Sequence, residues 1–427
     1  MLKNILSSKR ETVKEALFKS SFINLLARGF GYLKYLSIAY LLGFSYQTDA
    51  IYMALAIVGI FIIFADVFDS IGVPNLVRAM EKSYEEFHKL SGLLFSFTTF
   101  IAILSTILAI ILYPVLKHIA FGFSEEAKHY LKSAYFLLIP YVFFSFYFHH
   151  FGAILRSQRK FTPYFIGEFI FSFSNFLLVS IGLLIWKDYK VIAISISISQ
   201  LLASLYMFAV GSEFIHFKLY KDSAVSSMIK QFIYLSGFYG TGIIYMLIEK
   251  AFASTLGEDA VSALTYGIMV ANIPKSLIKV EKMSITSFSE SKDIIGKLNF
   301  YIKKIFQMSI PLTIFMFLAS NIIVKLLFGH GAFNQKDIEL TSLAARYFAL
   351  SLPFFFLWPI IYQTFQVIGH LKPLFILATG SIASMTISNY ILITIFKLGI
   401  IGICVASFVN YALVSIIAYI IIKIKGG

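Results

Sequence analysis

The sequence has little charge and almost no cysteine. Only 14% of its 427 residues are Asp, Glu, Lys or Arg, against about 25% in an ordinary soluble domain. That shortfall excludes a soluble globular enzyme and a disordered chain, both of which rely on charge for solvation. A single cysteine, Cys404, excludes an intramolecular disulfide and a cysteine-based metal centre. No G-x-S-x-G, H-E-x-x-H or P-loop pattern occurs, so the familiar hydrolase and nucleotide-binding signatures are missing. No stretch of even 40 residues lacks a hydrophobic segment, which leaves little room for a soluble domain.

What the chain has instead is apolar surface. The AVILMFWYC residues make up 59% of it, and the mean hydropathy is +0.82. A helix crosses a bilayer with about 20 apolar residues, so twelve crossings would use about 240, close to the whole apolar content. The runs fall at about 22–44, 49–73, 90–116, 133–155, 162–186, 191–211, 230–255, 261–287, 300–328, 339–368, 373–396 and 399–422. The predicted class is therefore all-α and polytopic, with about twelve transmembrane helices.

The net charge of +14 would suggest nucleic acid in a soluble protein. In a membrane protein it is first a topology signal, because Lys and Arg stay on the cytoplasmic side. With the N-terminus inside, the inner loops and ends hold 21 Lys and Arg and the outer loops hold 7. This places both termini in the cytoplasm and implies no nucleic-acid partner. The remaining eight are Arg28, Lys34, Lys250, Lys275, Lys279, Lys282, Lys325 and Arg346, all inside spans.

Residues 1–19 read as a basic amphipathic segment lying on the membrane. The run that follows is too long for a cleaved signal peptide and carries Arg28 and Lys34. A second basic amphipathic stretch at 212–229 precedes the seventh span. The organisation predicted is an N-terminal segment 1–19, an N-lobe 20–211, a linker 212–229 and a C-lobe 230–427. SSFINLLARGFGY and KQFIYLSGFYGTG are faintly alike, a weak internal repeat of the kind common in transporters.

A charge inside a span costs about 2.5–3.5 kcal/mol on insertion scales, so each needs a partner or a watery cavity. On a helical wheel Gly31 falls between Arg28 and Lys34. The two cations either form a wall for an anionic substrate or pair with carboxylates on neighbouring helices. Glu249 and Lys250 are adjacent in the seventh span, and either Glu249 is an ion or proton site or the two serve structural pairs. Lys275, Lys279 and Lys282 share one helix face, behind Pro274. They could receive phosphate, or snorkel to the interface. Asp66 and Asp69 could neutralise such cations, and Glu168 is equally open. His149 and His150 read as a solvated interfacial pair, the alternative being a base in a membrane acyltransferase. Pro353 and Pro359 are expected to break the tenth span.

These features describe a polytopic transporter with a cationic interior and no enzymatic machinery. An anionic amphiphile is the natural passenger. With the inside negative, moving one negative charge outward gains about 2.3 kcal/mol per 100 mV, which favours export.

Three stretches sharpen this. Arg28-Gly-Phe-Gly-Tyr-Leu-Lys34, followed by Leu42-Gly43 and Thr48-Asp49-Ala50, resembles the opening of the MurJ/MviN lipid-linked oligosaccharide flippases. Their pattern is R-x-x-G-x-x-R, then F-G and T-D-A. Residues 248–266, IEKAFASTLGEDAVSALTY, are similar to that family's D-R-x-x-A-S-x-L…G-x-V-S-A-L-x-Y. Leu327-Phe-Gly-His-Gly-Ala-Phe333, with Leu350-Ser-Leu-Pro353 and Gly369-His-Leu-Lys-Pro373, resembles its L-F-x-x-G-x-F loop and tenth span.

The resemblance implies two six-helix lobes around a central cavity that opens alternately to each side. It implies transport of a polyprenyl-pyrophosphate-linked glycan, lipid II or a related precursor, from the inner to the outer leaflet of the cytoplasmic membrane for peptidoglycan synthesis. By motif match Arg28 and Lys34 take the positions of cavity arginines, with Lys275 as a further cavity cation. Gly31, Asp49 and Asp66 fall in the cavity and gating region. Glu249 takes the position of an aspartate that is a Na⁺ ligand in some members, with Asn389 and Asn410 as companions. Two other cavity arginines of the family fall at apolar positions here, near Ile62 and at Met269. Many members have fourteen spans. The alternatives are a surface-polysaccharide unit as cargo, or cation-coupled export of small molecules on the same fold. No cofactor is expected beyond Na⁺ or membrane-potential coupling, and the expected state is a monomer.

Overall fold

The computed structural model describes residues 13–217, 223–277, 293–368 and 371–426. They are helical throughout, with no strand among the described residues. The helices are α1 (Val13–Leu42), α2 (Tyr46–Lys82), α3 (Tyr84–Leu116), α4 (Glu125–Leu137), α5 (Ile139–Ser157), α6 (Phe161–Trp186), α7 (Lys190–Val210) and α8 (Ser223–Ala253). They continue as α9 (Ala260–Ala271), α10 (Ile273–Leu277), α11 (Ile294–Phe328), α12 (Gln335–Phe348), α13 (Leu352–Val367), α14 (Leu371–Asn389) and α15 (Gly399–Gly426). In lipid a spanning segment must satisfy its backbone internally, and helices do this. Among the described residues nine stretches are long and apolar enough to cross a membrane. With α1, α8 and the α9–α10 pair they make the expected order of twelve. The chain is a multi-pass membrane protein.

Several spans are built in two pieces, and the sequence explains where. Leu138 separates α4 from α5, with Pro140 in the first turn of the second piece. Proline is tolerated there because its missing N–H would have no helical partner. Asn272 interrupts the eighth span one residue before Ile273 and Pro274. A 3₁₀ turn at Ala349–Ser351 joins α12 to α13 and precedes Pro353. After α14 the helix widens into a π-turn, Tyr390–Ile395, before the left-handed Lys397 and Gly399. The N-terminal segment 1–12 and the cations Lys279 and Lys282 lie outside the described residues.

The chain divides into two compact units. One comprises 1–42, 54–118 and 128–239; the other comprises 43–53, 119–127 and 240–427.

In the first unit α1 packs along α6. Phe30 sits against Phe169, Phe173 and Phe176 at centroid distances of 4.9–5.8 Å, and the Ser180 hydroxyl donates to Ser37 Oγ at 2.8 Å. Water drives no helix association inside a bilayer, so close packing and interhelical hydrogen bonds carry it. Ser197 on α7 donates to the Leu137 carbonyl at 2.6 Å, and Ser204 donates to the Phe144 carbonyl at 2.8 Å.

In the second unit α9 packs on α12, and α11, α13 and α15 complete the core. The α9–α12 approach needs Gly267: a Cβ there would overlap Ala344 Cβ and lie 2.9 Å from the Ala345 nitrogen. Gly43 adopts a φ of +65°, and a Cβ would lie 2.6 Å from the Ala332 carbonyl oxygen. Only glycine meets both demands.

Candidate functional site

Two sets of charged residues occupy the helices, one in each unit.

In the first unit Arg28 and Lys34 lie one behind the other on α1. Arg28 is exposed, and its Nε donates to Asn24 Oδ1 at 3.2 Å, one turn back. Lys34 is half-buried and places Nζ 4.3 Å from the Tyr35 ring centroid. A Cβ at Gly29 or at Gly31 would meet nothing within 4 Å. The α1 backbone between the two cations is thus open, and a planar guanidinium with several N–H donors suits phosphate oxygens.

Asp66 on α2 faces His149, with Oδ1 3.5 Å from Nε2. His149 therefore belongs with a carboxylate. His150 departs from the solvated pair expected of the sequence: it is buried, with Nδ1 3.2 Å from Thr98 Oγ1 and its ring beside Phe95 and Phe151. The helical register explains this, since a step of about 100° turns the second histidine from the rim into the α3–α5 contact. Glu168 accepts from the Tyr164 hydroxyl at 2.7 Å.

The second unit holds a buried polar system. Asp49 stands in the first turn of α2. The local sequence sets that turn: Thr48 Oγ1 accepts from the Ser45 nitrogen at 2.9 Å, and the Thr48 nitrogen donates to Ser45 Oγ at 3.4 Å. Such reciprocal bonds satisfy donors that a helix start leaves open. Asp49 is fully buried. Its Oδ1 accepts from the Ser262 nitrogen at 2.8 Å and the Ser262 hydroxyl at 2.5 Å. The T-D-A and V-S-A-L motifs therefore meet, α2 to α9. One turn along α2, the Tyr52 hydroxyl donates to the Tyr266 hydroxyl at 3.1 Å.

Lys250 is buried and donates to the Tyr52 carbonyl at 2.8 Å, with Nζ 5.7 Å from the Tyr52 ring centroid. Its sequence neighbour Glu249 takes a different direction and accepts from the Ser407 hydroxyl on α15. One turn earlier on α8 the Tyr245 hydroxyl donates to Ser381 on α14, with Asn410 beside it. Asn410 and Asn389 are fully buried. Asn389 donates to the Met385 carbonyl at 2.8 Å. Its Oδ1, and the side-chain atoms of Asn410, make no hydrogen bond of good geometry among the described residues. Glu249, Ser407 and Asn410 thus gather between α8, α14 and α15. The described contacts do not join Asn389 to Glu249.

Lys275 on α10 is half-buried, with Nζ 5.4 Å from the Phe355 ring centroid. Ile62 and Met269 are half-buried apolar residues on α2 and α9. Sequence reasoning missed Ser262, Ser407, Tyr245 and Ser381, the hydroxyl partners of the system. Ser262 stood inside a quoted motif; the other three carried no local signal.

Residues 38–426 match the family model described as lipid II flippase MurJ. The probable lipid II flippase MurJ of Rickettsia prowazekii (strain Madrid E) is 27% identical over 424 residues, covering 93% of this chain and 83% of the relative. That of Aquifex aeolicus (strain VF5) is 26% identical over 371 residues, 81% of this chain and 71% of the relative. Among solved structures, a lipid II flippase MurJ in an inward closed conformation aligns with a TM-score of 0.79 at 22% identity, over 95% of this chain and 87% of its own. An inward-facing multidrug resistance MATE family transporter of the MOP superfamily aligns with a TM-score of 0.74 at 13% identity, covering 94% of this chain and 98% of its own. Motifs, fold and family model agree over nearly the whole length, and the chain belongs to the lipid II flippase MurJ family.

Proposed function

We propose that this chain moves lipid II from the inner to the outer leaflet of the cytoplasmic membrane, supplying cell-wall synthesis. The observation that carries the reading is the family match over residues 38–426. The open backbone of α1 between Arg28 and Lys34 supports it, because a pyrophosphate needs room beside its cations. In this reading the Arg28 guanidinium takes phosphate oxygens in a bidentate grip, and Lys34 adds a point charge. In this reading both termini lie in the cytoplasm, the orientation that the inside-positive loop count favours.

Cation coupling belongs to the same proposal. A hard cation such as Na⁺ takes oxygen ligands, and Glu249 and Asn410 present them in one buried place. The Lys250 ammonium is directed at the Tyr52 carbonyl, so it does not compete for the Glu249 oxygens. A bound cation would offset the buried carboxylate's charge. It would drive transport only through different affinities for the inward- and outward-open states.

Complementation of a strain depleted of its own lipid II flippase tests the reading. Growth and rod shape restored by this chain are expected. Failure, with the protein present in the membrane at normal level, would remove lipid II as the cargo.

A further inference from the structure

A cavity in the second unit borders the polar system just described only at Ser381. It is a groove of about 600 Å³ between α14 and α15. On α14 its wall is Lys372, Ile376, Gly380 and Ser384, every fourth residue on one face. Opposite stand Ile417 and Ile421 on α15. The two helices are antiparallel neighbours joined by a short turn. Lys372 therefore lies at the Ile421 end of the groove, and Ser384 marks the other end.

Three features describe the occupant. The walls are apolar and open outward, with Ile376 58% exposed and Ile417 44% exposed. A Cβ on Gly380, about two-thirds of the way from Lys372 to Ser384, would meet nothing within 4 Å, so the floor is vacant there. The one charged wall residue, Lys372, is exposed and makes no ion pair among the described residues. Lys423, at the same end, sits over the Tyr419 ring at 5.4 Å. From Lys372 to Ser384 the groove runs twelve residues, about 18 Å at 1.5 Å per residue. That is close to one leaflet, half of a hydrocarbon core of about 30 Å. A trough of this length with a cation at one end has the dimensions of a single acyl chain and its phosphate.

We infer that the α14–α15 groove is a binding site for one anionic diacyl phospholipid of the bilayer, one acyl chain lying along Ile376, Gly380 and Ile417 and the phosphate paired with Lys372. The site is separate from the residues assigned to cargo and is independent of the cargo's identity. A polyprenyl chain of many isoprene units would overrun a trough one leaflet long. A second helix is the other occupant that small residues such as Gly380 and Ser384 invite.

The test is native mass spectrometry of the full-length protein released from detergent, with dioleoyl phosphatidylglycerol or dioleoyl phosphatidylcholine added at equal concentration. The wild type should retain one phosphatidylglycerol at least fivefold more than phosphatidylcholine. Lys372→Gln, at an exposed position that leaves folding intact, should bring the two lipids to parity. Gly380→Leu should lower retention of both, and Gly380→Ala, which adds one methyl group in open space and favours the helix, should do so partly. Equal retention of the two lipids by the wild type, or unchanged phosphatidylglycerol retention in both Lys372→Gln and Gly380→Leu, would overturn the assignment. So would displacement of phosphatidylglycerol by an equal amount of undecaprenyl phosphate. A dimer that forms with no bound lipid and is lost in Gly380→Leu would overturn it in favour of a second helix.

Discussion

Replacing Asp49 with alanine tests how far the buried polar system holds the second unit together. Asp49 Oδ1 takes two hydrogen bonds from one residue, at 2.8 Å from the Ser262 nitrogen and 2.5 Å from its hydroxyl. A hydrogen bond to a charged group contributes about 1.5–3 kcal/mol, and orphaning a buried donor costs about 1–3 kcal/mol. Asp49→Ala removes both bonds and leaves the Ser262 N–H unmatched, so the expected loss is about 3–5 kcal/mol. Ser262→Ala removes only the hydroxyl bond and should cost about 1.5–3 kcal/mol. The two residues touch, so the double variant should cost about 1–3 kcal/mol less than the sum of the single losses. The chain supplies its own probe: its one cysteine, Cys404, is buried, with Sγ 3.6 Å from the Ala344 carbonyl. A thiol-reactive fluorophore in a thermal ramp therefore reports unfolding of this unit without engineering. At about 2 °C per kcal/mol for a large chain, Asp49→Ala should lower the midpoint by about 6–10 °C. A shift under 2 °C, or strict additivity with Ser262→Ala, would show that the Asp49–Ser262 junction does not hold α2 to α9.

Four further outcomes follow from the same structure. Gly267→Leu drives a side chain into Ala344 and the α12 backbone, and the overpacking should cost at least about 1–3 kcal/mol, read as a lower midpoint or loss of folded protein. Lys336→Ala breaks a 2.6 Å pair with Asp259, but Lys336 is 61% exposed and the loss should stay below about 1 kcal/mol in the same ramp. Arg28→Ala should abolish growth in the complementation assay, while Arg28→Lys, keeping charge without the planar fork, should restore it in part. Added Na⁺, against choline at equal ionic strength, should raise the wild-type midpoint by mass action. Glu249→Gln should remove that response.

The fold was legible where physics acts locally. Apolar run length is set residue by residue, and it located twelve spans whose order the helices reproduce. Prolines marked the breaks before Pro274 and Pro353, but Pro359, also expected to break the tenth span, lies inside the continuous helix α13, since a helix within a membrane protein can absorb a proline when its neighbours satisfy the freed carbonyl. The helix starts were blurred: α1 begins at Val13, nine residues ahead of the apolar run, since a helix continues past the end of its apolar part. The site was half legible. Asp49, Glu249, Arg28 and Lys34 stand out as charges in apolar company. Their partners do not, because serines such as Ser407 are common in apolar helices and only the packing of α15 against α8 gives that one a role. His150 shows the opposite error: from sequence it matches His149, yet one step of helix rotation sends it against Phe95. Lys250 could be read as one half of an interhelical ion pair, yet its ammonium is directed to the Tyr52 carbonyl.

The central claim is that this chain carries lipid II, and outer-leaflet exposure of lipid II measures it most directly. Cells depleted of their own flippase and labelled in their peptidoglycan precursors would be treated from outside with an enzyme that cleaves lipid II. With this chain expressed, most labelled lipid II should become cleavable, and with the Arg28→Ala variant at equal level it should stay protected. Lipid II that remains protected in cells making the wild-type chain in their membranes would contradict the account.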